Sequence, residues 1–420
     1  MDNPPVSVHI CTMTYDYDIA IVGGGLNGPI LACALASTGL NVVIIDALPA
    51  NTRMGEDFDG RSYAMALTSV RLMQGLGLWD AIAQDTQPIL SIKVSDGRAG
   101  QGPSPFFMHF DHAEIEEGPM GYMVEDRLLR PCLQQATADA QNITVLDNTK
   151  VIEQTVIGEG IRLTLDDDTT LTARVLFGCD GRGSGTALRA GIERTGWPYG
   201  QTALVCAIGH DLPHDGTAHQ FFMPPGPLAI LPLTGNRSSI VWSETHENAR
   251  AINALPDDEY LEILRPRFGS FLGQISLAGQ RYTYPLSLSL ANRLVGERLA
   301  LVGDAAHGIH PIAGQGLNAG MRDIAALAEV VADAHRRGED IGSPNVLQRY
   351  EQWRRFDNTA LALATDTFNK LFSNDNPVVR AVRNIGMGAV AKTPGLRRGF
   401  IREAAGLTGD LPRLLRGRPL

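Results

Sequence analysis

Residues 18–46 read DIAIVGGGLNGPILACALASTGLNVVIID, and few folds can use such a stretch. The opening Ile-Ala-Ile-Val shows no alternation of apolar and polar residues, so it fits a strand covered on both faces. The run ILACALA fits a helix that ends at Gly39, and residues 41–45 form a second apolar strand that stops at Asp46. Strand, helix and parallel strand make one βαβ unit. Between the first two elements stand Gly23, Gly25 and Gly28, with Leu26 and Asn27 between the second and third. Gly23 allows a tight turn, Gly25 lets backbone N–H groups approach a pyrophosphate, and Gly28 allows helix and strand to touch. The helix N-terminus favours an anion. Asp46, 18 residues after Gly28, is placed to accept hydrogen bonds from a ribose and to repel a 2′-phosphate. These residues alone leave NAD and FAD both open.

Two later strand ends carry carboxylates. Residues 173–181 read ARVLFGCDG and end at Asp180; residues 299–304 read LALVGD and end at Asp304. In an open parallel sheet such ends line the ligand crevice. The second continues through residues 301–323, LVGDAAHGIHPIAGQGLNAGMRD, into an amphipathic helix. Residues 200–290 read mostly as short alternating strands with turn signals, and from 315 onward the pattern is helical. Two interleaved units follow. A nucleotide-binding unit is assembled from 14–80, 120–190 and 290–345; a sheet-rich unit comes from insertions 81–119 and 191–289; a basic helical region covers 346–420.

Composition limits the setting. Apolar residues make up 44% and charged residues 20%, which suits an ordinary globular core. Cys11, Cys33, Cys132, Cys179 and Cys206 are scattered, with no metal-type spacing, so no metal is expected and a reducing, cytoplasmic setting is. Residues 1–12 lack the basic start and apolar run of a secretory signal, and no apolar run reaches membrane-span length. Net charge is −10, yet residues 370–420 hold ten Lys/Arg against three Asp/Glu, a net of +7, leaving −17 on the rest. A basic tail on an acidic body points to a surface that meets anionic lipid or an acidic partner protein, or to a solvated helical tail; no nucleic-acid partner is expected.

The set GGGLNG, Arg61, CDG and GDAAHGIHPIAGQGLN, in that order, resembles the single-component flavoprotein aromatic hydroxylases with the fold of p-hydroxybenzoate hydroxylase. GPLAILPL at 226–233, Pro285-Leu286 after Tyr-Thr-Tyr, GQGLNAGMRD at 314–323 and the closing GLTGDLPRLLRGRPL are similar to the ubiquinone-biosynthesis hydroxylases, which act on polyprenylated phenols. The resemblance implies an α/β, FAD-binding Rossmann-like (GR2-type) domain with an interleaved β-sheet substrate domain and C-terminal helices. It implies FAD as cofactor, O2 as co-substrate, NAD(P)H as electron donor, and ring hydroxylation through a flavin C4a-hydroperoxide. A place in a ubiquinone-biosynthesis complex, attachment at the inner membrane face and a homo-oligomer are further expectations.

By the same resemblance, Asp304 bonds the ribityl chain and Gly303 lets it pass. Pro311 lies against the flavin ring, and Gly314, Gln315, Gly316, Leu317 and Asn318 open a helix whose N–H groups face the ring's anionic edge. Arg61 and Arg127 contact the cofactor, Arg53 less so; an exposed, ion-paired arginine is the competing reading of each. Asp180 belongs to the Asp-Gly motif. The arginine that follows that motif in the family is replaced by Ala187, with Arg189 two residues on, which leaves the electron donor less defined than the flavin. His307 and His310 read as packing residues, and no catalytic base is indicated. Phe221, Phe222, Leu228, Ile230 and Leu231 are expected to line the substrate pocket. Competing readings are a same-fold hydroxylase for another small aromatic, a halogenase or prenyl reductase (Trp242 is followed by Ser-Glu-Thr, unlike the halogenase motif), an NAD-dependent dehydrogenase, and a non-catalytic FAD-bound scaffold.

Overall fold

The computed structural model describes residues 14–53, 59–98, 102–309, 314–355, 357 and 393–420. Pro311 and His310 lie outside these, as do residues 358–392 of the expected C-terminal helical region. Among the described residues the strands form sheets of eight, nine and three members.

The eight-stranded sheet is built around Tyr17–Val22, which pairs in parallel with Thr170–Gly178 on one side and Val42–Ile45 on the other. Ile143–Leu146 extends one edge and Leu299–Leu301 the other, both parallel. Helices Asn27–Ala36 and Gln315–Arg336 pack together over this sheet. Val42–Ile45 is buried at every residue, which explains its unbroken apolar run. All five strands point the same way, so residues 23–27, Asp46, Asp147, Cys179-Asp180 and residues 302–304 share one edge. The strand order reverses direction beside Tyr17–Val22, the position where open α/β sheets leave a crevice.

The nine-stranded sheet holds Arg194–His210, Thr217–Met223, Gly226–Leu233, Arg237–Thr245 and Tyr282–Ala291 together with Ser91–Arg98 and Gly102–Asp111. Two helices, His246–Asn253 and Asp257–Phe268, cover one face of it. The alternating pattern of residues 200–290 predicts mostly strands and does not single out these helices. The helix signals are nonetheless present, with Thr245 accepting from Asn248 N at 3.3 Å and three acids in the first turn after Pro256. A three-stranded sheet of Ser62–Ala66, Gly121–Glu125 and Gln87–Ile89 lies at the junction. His307–Gly308, just beyond Asp304, pairs with Ser289 and Leu290 of the large sheet. One short turn therefore leaves the parallel sheet and joins the other.

The chain end is integral to the fold. Leu414 and Leu415 are fully buried in the core beneath the parallel sheet unit, and Ile401 of helix Pro394–Ala404 is buried beside Phe110. Among the described residues of the basic tail, four arginines are ion-paired within the fold. Arg397 pairs with Glu114, Arg402 with Glu117, Arg413 with Glu329 and Asp333, and Arg416 with Asp410.

Candidate functional site

The glycine loop after the first strand is shaped by collisions that only glycine avoids. Gly23 has φ +112°, and a Cβ there would strike the Cys179 carbonyl. A Cβ on Gly28 would strike the Gly23 carbonyl. Gly25 differs, because a Cβ there meets nothing within 4 Å. The loop is held by Asp46, whose Oδ2 accepts from Gly24 N at 2.7 Å and whose Oδ1 accepts from Leu48 N at 2.9 Å. Each oxygen keeps a lone pair for a ligand hydroxyl. Gly24, Gly25, Asp46, Leu48, Arg130 and Leu133 line an open groove here. Arg130 was not singled out from the sequence; its sign was its place four residues after Asp126, to which its Nε donates at 2.8 Å.

Helix Asn27–Ala36 begins at Leu26 with no side-chain cap and no acid in its first turn. Its first N–H groups therefore lack side-chain acceptors. Helix Gln315–Arg336 follows Gly314, which sits at φ +64° and supplies no side-chain cap, and its first turn holds no acid. A Cβ at Gly316 meets nothing within 4 Å, whereas one at Gly314 would press on Ala64 Cβ at 2.9 Å. Leu317 packs against the core. Asn318 spends its whole amide on protein. Its Oδ1 accepts from Ala66 N and Ser69 Oγ, each at 2.8 Å, and its Nδ2 donates to Ala64 O at 2.8 Å and Gly314 O at 3.0 Å. Asn27 lies between the two ends. A Cβ on Gly320 would come within 2.7 Å of its Nδ2, one on Gly303 would overlap it, and among the described residues its Oδ1 is buried without a hydrogen-bond partner.

Asp304 is 40% exposed and pairs with Arg182 Nε at 3.2 Å. Arg182 also donates to Ile309 O at 3.4 Å, and the half-buried Arg194 donates to the carbonyls of Asp304 and Ala305. Gly303, at φ +63°, and the buried His307 stand on either side of Asp304, and both are bonded to Asp323. Sequence reasoning quoted Asp323 only as the end of GQGLNAGMRD. Burial acts to raise its carboxyl pKa, but His307 and Arg354 more than offset this and hold it at about 2.

Asp180 turns inward. Its Oδ1 accepts from Ser184 Oγ at 2.6 Å and its Oδ2 from Thr186 N at 2.9 Å, so its carboxylate shapes the turn into Gly185–Arg189. Ala187 is 1% exposed inside that turn, and Arg189 donates to Gln154 at 3.2 Å. Arg61 is ion-paired with Asp59 at 2.6 Å and with Asp126 at 3.3 Å, and Arg127 with Glu125 at 2.7 Å. Burial acts to raise Asp59, but bonds from Arg61 bring its carboxyl below the ordinary value. Burial, reinforced by the Asp126 carboxylate that accepts its proton at 2.6 Å, pushes the Tyr63 phenol well above its ordinary value. Tyr284, 47% exposed and 6.5 Å from the Tyr282 ring, stands in the electrostatic reach of the same group.

The expected pocket residues do not share a face. Phe221, Leu228 and Ile230 are buried under the two helices that cover the large sheet. Phe222 packs with Val94 and Met108, and Leu231 with the cluster of Met123 and Phe110, on the opposite face. Successive strand residues point to opposite sides, so Phe221 and Phe222 cannot line one pocket.

The pattern of the FAD binding domain family matches residues 16–362. Ubiquinone hydroxylase UbiL of Rhodospirillum rubrum is 45% identical over 406 residues, spanning 96% of this chain and 93% of that protein. The 3-demethoxyubiquinol 3-hydroxylase of Escherichia coli is 34% identical over 394 residues, spanning 93% and 98%. The crystal structure of p-nitrophenol 4-monooxygenase from Pseudomonas putida shares the fold, with a TM-score of 0.77 at 20% identity over 94% of this chain and 98% of that one. The chain belongs to the FAD binding domain family, within the group of FAD-dependent hydroxylases that includes the ubiquinone hydroxylases.

Proposed function

We propose that this chain hydroxylates the aromatic ring of a polyprenylated phenol in ubiquinone biosynthesis, with O2 as co-substrate and NAD(P)H as electron donor. The observation that carries the reading is the meeting of two helix N-termini, neither with an acid in its first turn, and a carboxylate-bearing turn at one edge of a parallel sheet. That donor set fits FAD. N–H groups of residues 25–28 would hold its pyrophosphate, Asp46 its ribose, and Asp304 its ribityl hydroxyls. The N-terminus of Gln315–Arg336 would favour negative charge on the ring by about 0.3–2 kcal/mol. When bound, FAD supplies the two-electron chemistry that activates O2 for transfer of one oxygen atom to the phenol. The protein's part is to bind, orient and keep water out.

The eight-stranded sheet unit serves as the cofactor unit and the nine-stranded one as the substrate cover. Phe222 and Leu231 remain candidates for the pocket; Phe221, Leu228 and Ile230 do not. Arg61 and Arg127 support the site by ordering Asp126 and Glu125 at the junction. With one dinucleotide-type loop in the sequence, the electron donor docks transiently. No helix among the described residues is long and apolar enough to cross a membrane. Peripheral contact is assigned to helix Pro394–Ala404, where Leu396 and Phe400 are exposed beside the exposed Arg398. The test supplies purified, FAD-loaded protein with NADH or NADPH and a prenylated phenol under isotopically labelled O2. A ring hydroxyl carrying the label supports the reading. Oxygen consumption without a hydroxylated product would overturn it.

A further inference from the structure

We propose that Asp323 is the positioning residue that fixes the turn at 303–309 against the helix facing it, as the centre of a buried charge chain that ends in the C-terminal segment. The proposal rests on reading that turn as the cofactor loop. Asp323 is fully buried. Its Oδ2 accepts from Gly303 N at 2.9 Å and from His307 Nε2 at 2.6 Å, while its Oδ1 accepts from Arg354 Nε at 2.8 Å. Gly303 and His307 bracket Asp304, so one carboxylate grips the turn on both sides of the residue assigned to the ribityl chain. The same carboxylate sits on Gln315–Arg336, the helix whose N-terminus faces the site. Asp323 thus sets the spacing between two groups that must meet one ligand.

The chain continues outward with alternating sign. Arg354 Nη1 donates to Asp357 Oδ2 at 2.7 Å, and Arg322 Nη1 lies 3.6 Å from that oxygen. Arg322 Nη2 donates to Gly406 O at 2.8 Å, and the neighbouring Ala405 O accepts from Thr68 N. Among the described residues His307 Nδ1 is buried with no hydrogen-bond partner, so the ring's orientation rests on its bond to Asp323. A carboxylate needed only for packing would not be placed where it holds the backbone N–H of a cofactor turn and the imidazole beyond it.

The experiment compares Asp323→Asn, His307→Gln, their double variant and Arg322→Gln. FAD dissociation constants come from fluorescence titration of the apo chain, and melting temperatures are taken without FAD. Each of the first two should weaken FAD binding at least tenfold. The double variant should be no weaker than the worse single, because both act through one contact. Arg322→Gln, which leaves Asp323 and His307 in place, should weaken binding about threefold. If the single variants lower the melting temperature but leave FAD affinity within twofold, Asp323 is purely structural and the proposal is overturned. An unchanged affinity in Arg322→Gln overturns the link to the C-terminal segment. Should Asp323→Asn fail to fold, His307→Gln and Arg322→Gln carry the test from both ends. Failure of the unmodified chain to bind FAD would instead overturn the reading of the site.

Discussion

Two helix N-termini face one site, and they are built by different means. The first, at Asn27, is fixed within its own loop: Gly28 lies against Gly23, and Gly23 against Cys179. The second, at Gln315, is fixed from far away. Asn318 reaches Ala66 across 252 residues of chain, and Asp323 reaches Gly303, His307 and Arg354. Neither N-cap residue, Leu26 or Gly314, supplies a side-chain cap. A local device tolerates change elsewhere in the molecule but no change in its own backbone. A long-range device depends on polar side chains that must each be satisfied.

The sharpest break in the first device is Gly28→Ala. The added methyl meets the Gly23 carbonyl, a backbone atom that cannot swing aside. Overpacking of this kind costs about 3 kcal/mol or more when the neighbour cannot yield. The variant should melt well below the parent chain and retain no FAD through gel filtration. A parent-like melting temperature would show that the local packing is not what fixes this helix end.

Asn318→Ala tests the second device. It strips partners from Ala66 N, Ser69 Oγ and the carbonyls of Ala64 and Gly314 at a site 5% exposed. Unsatisfied buried groups cost about 1–3 kcal/mol each, and with partial relaxation a total of about 2–4 kcal/mol is expected in chemical denaturation. A loss under 1 kcal/mol by that measure would mean the helix end is held by packing alone.

The acid limb of stability separates the ends again. Asp323 is lowered from 3.8 to about 2 in the fold. A depressed carboxyl contributes stability above its unfolded value, and that contribution is lost as pH falls from near 3.8 toward 2. The shift corresponds to about 2 kcal/mol. Asp323→Asn should therefore flatten the loss of stability over that pH range. An acid limb identical to the parent's would show that Asp323 does not govern it.

The comparison also explains what was legible. Residues 18–46 announced the first device because every constraint there is local, and the run of strand, glycines, helix and acid is itself the structure. The turn at 302–304 and the helix at Gln315 were legible as a pattern, and the resemblance tied them to a flavin. What holds them was not. Asp323 looks like any acid on an amphipathic helix until Gly303, His307 and Arg354 converge on it. Asp180 has a second task that its motif does not announce, since Ser184 Oγ and Thr186 N each donate to one of its oxygens and tie it to the turn. Phe221 and Phe222 are neighbours in one strand and so face apart, a separation that the period of a strand alone implies.

The smallest effect on stability should come from Gly25→Ala. Its Cβ meets nothing within 4 Å, and no positive φ is recorded for it, so the fold offers no resistance. Surface changes of this kind stay within about 0.5 kcal/mol. The open space it would enter is the groove also lined by Asp46 and Arg130, where a pyrophosphate would approach the backbone. FAD affinity should fall about tenfold while melting without FAD is unchanged, because about 1.4 kcal/mol of lost contact equals a factor of ten. Gly316→Ala at the other end, equally open, should behave alike. If Gly25→Ala lowers affinity and Gly316→Ala does not, only the first N-terminus approaches its ligand closely, and the second acts through its charge at a distance.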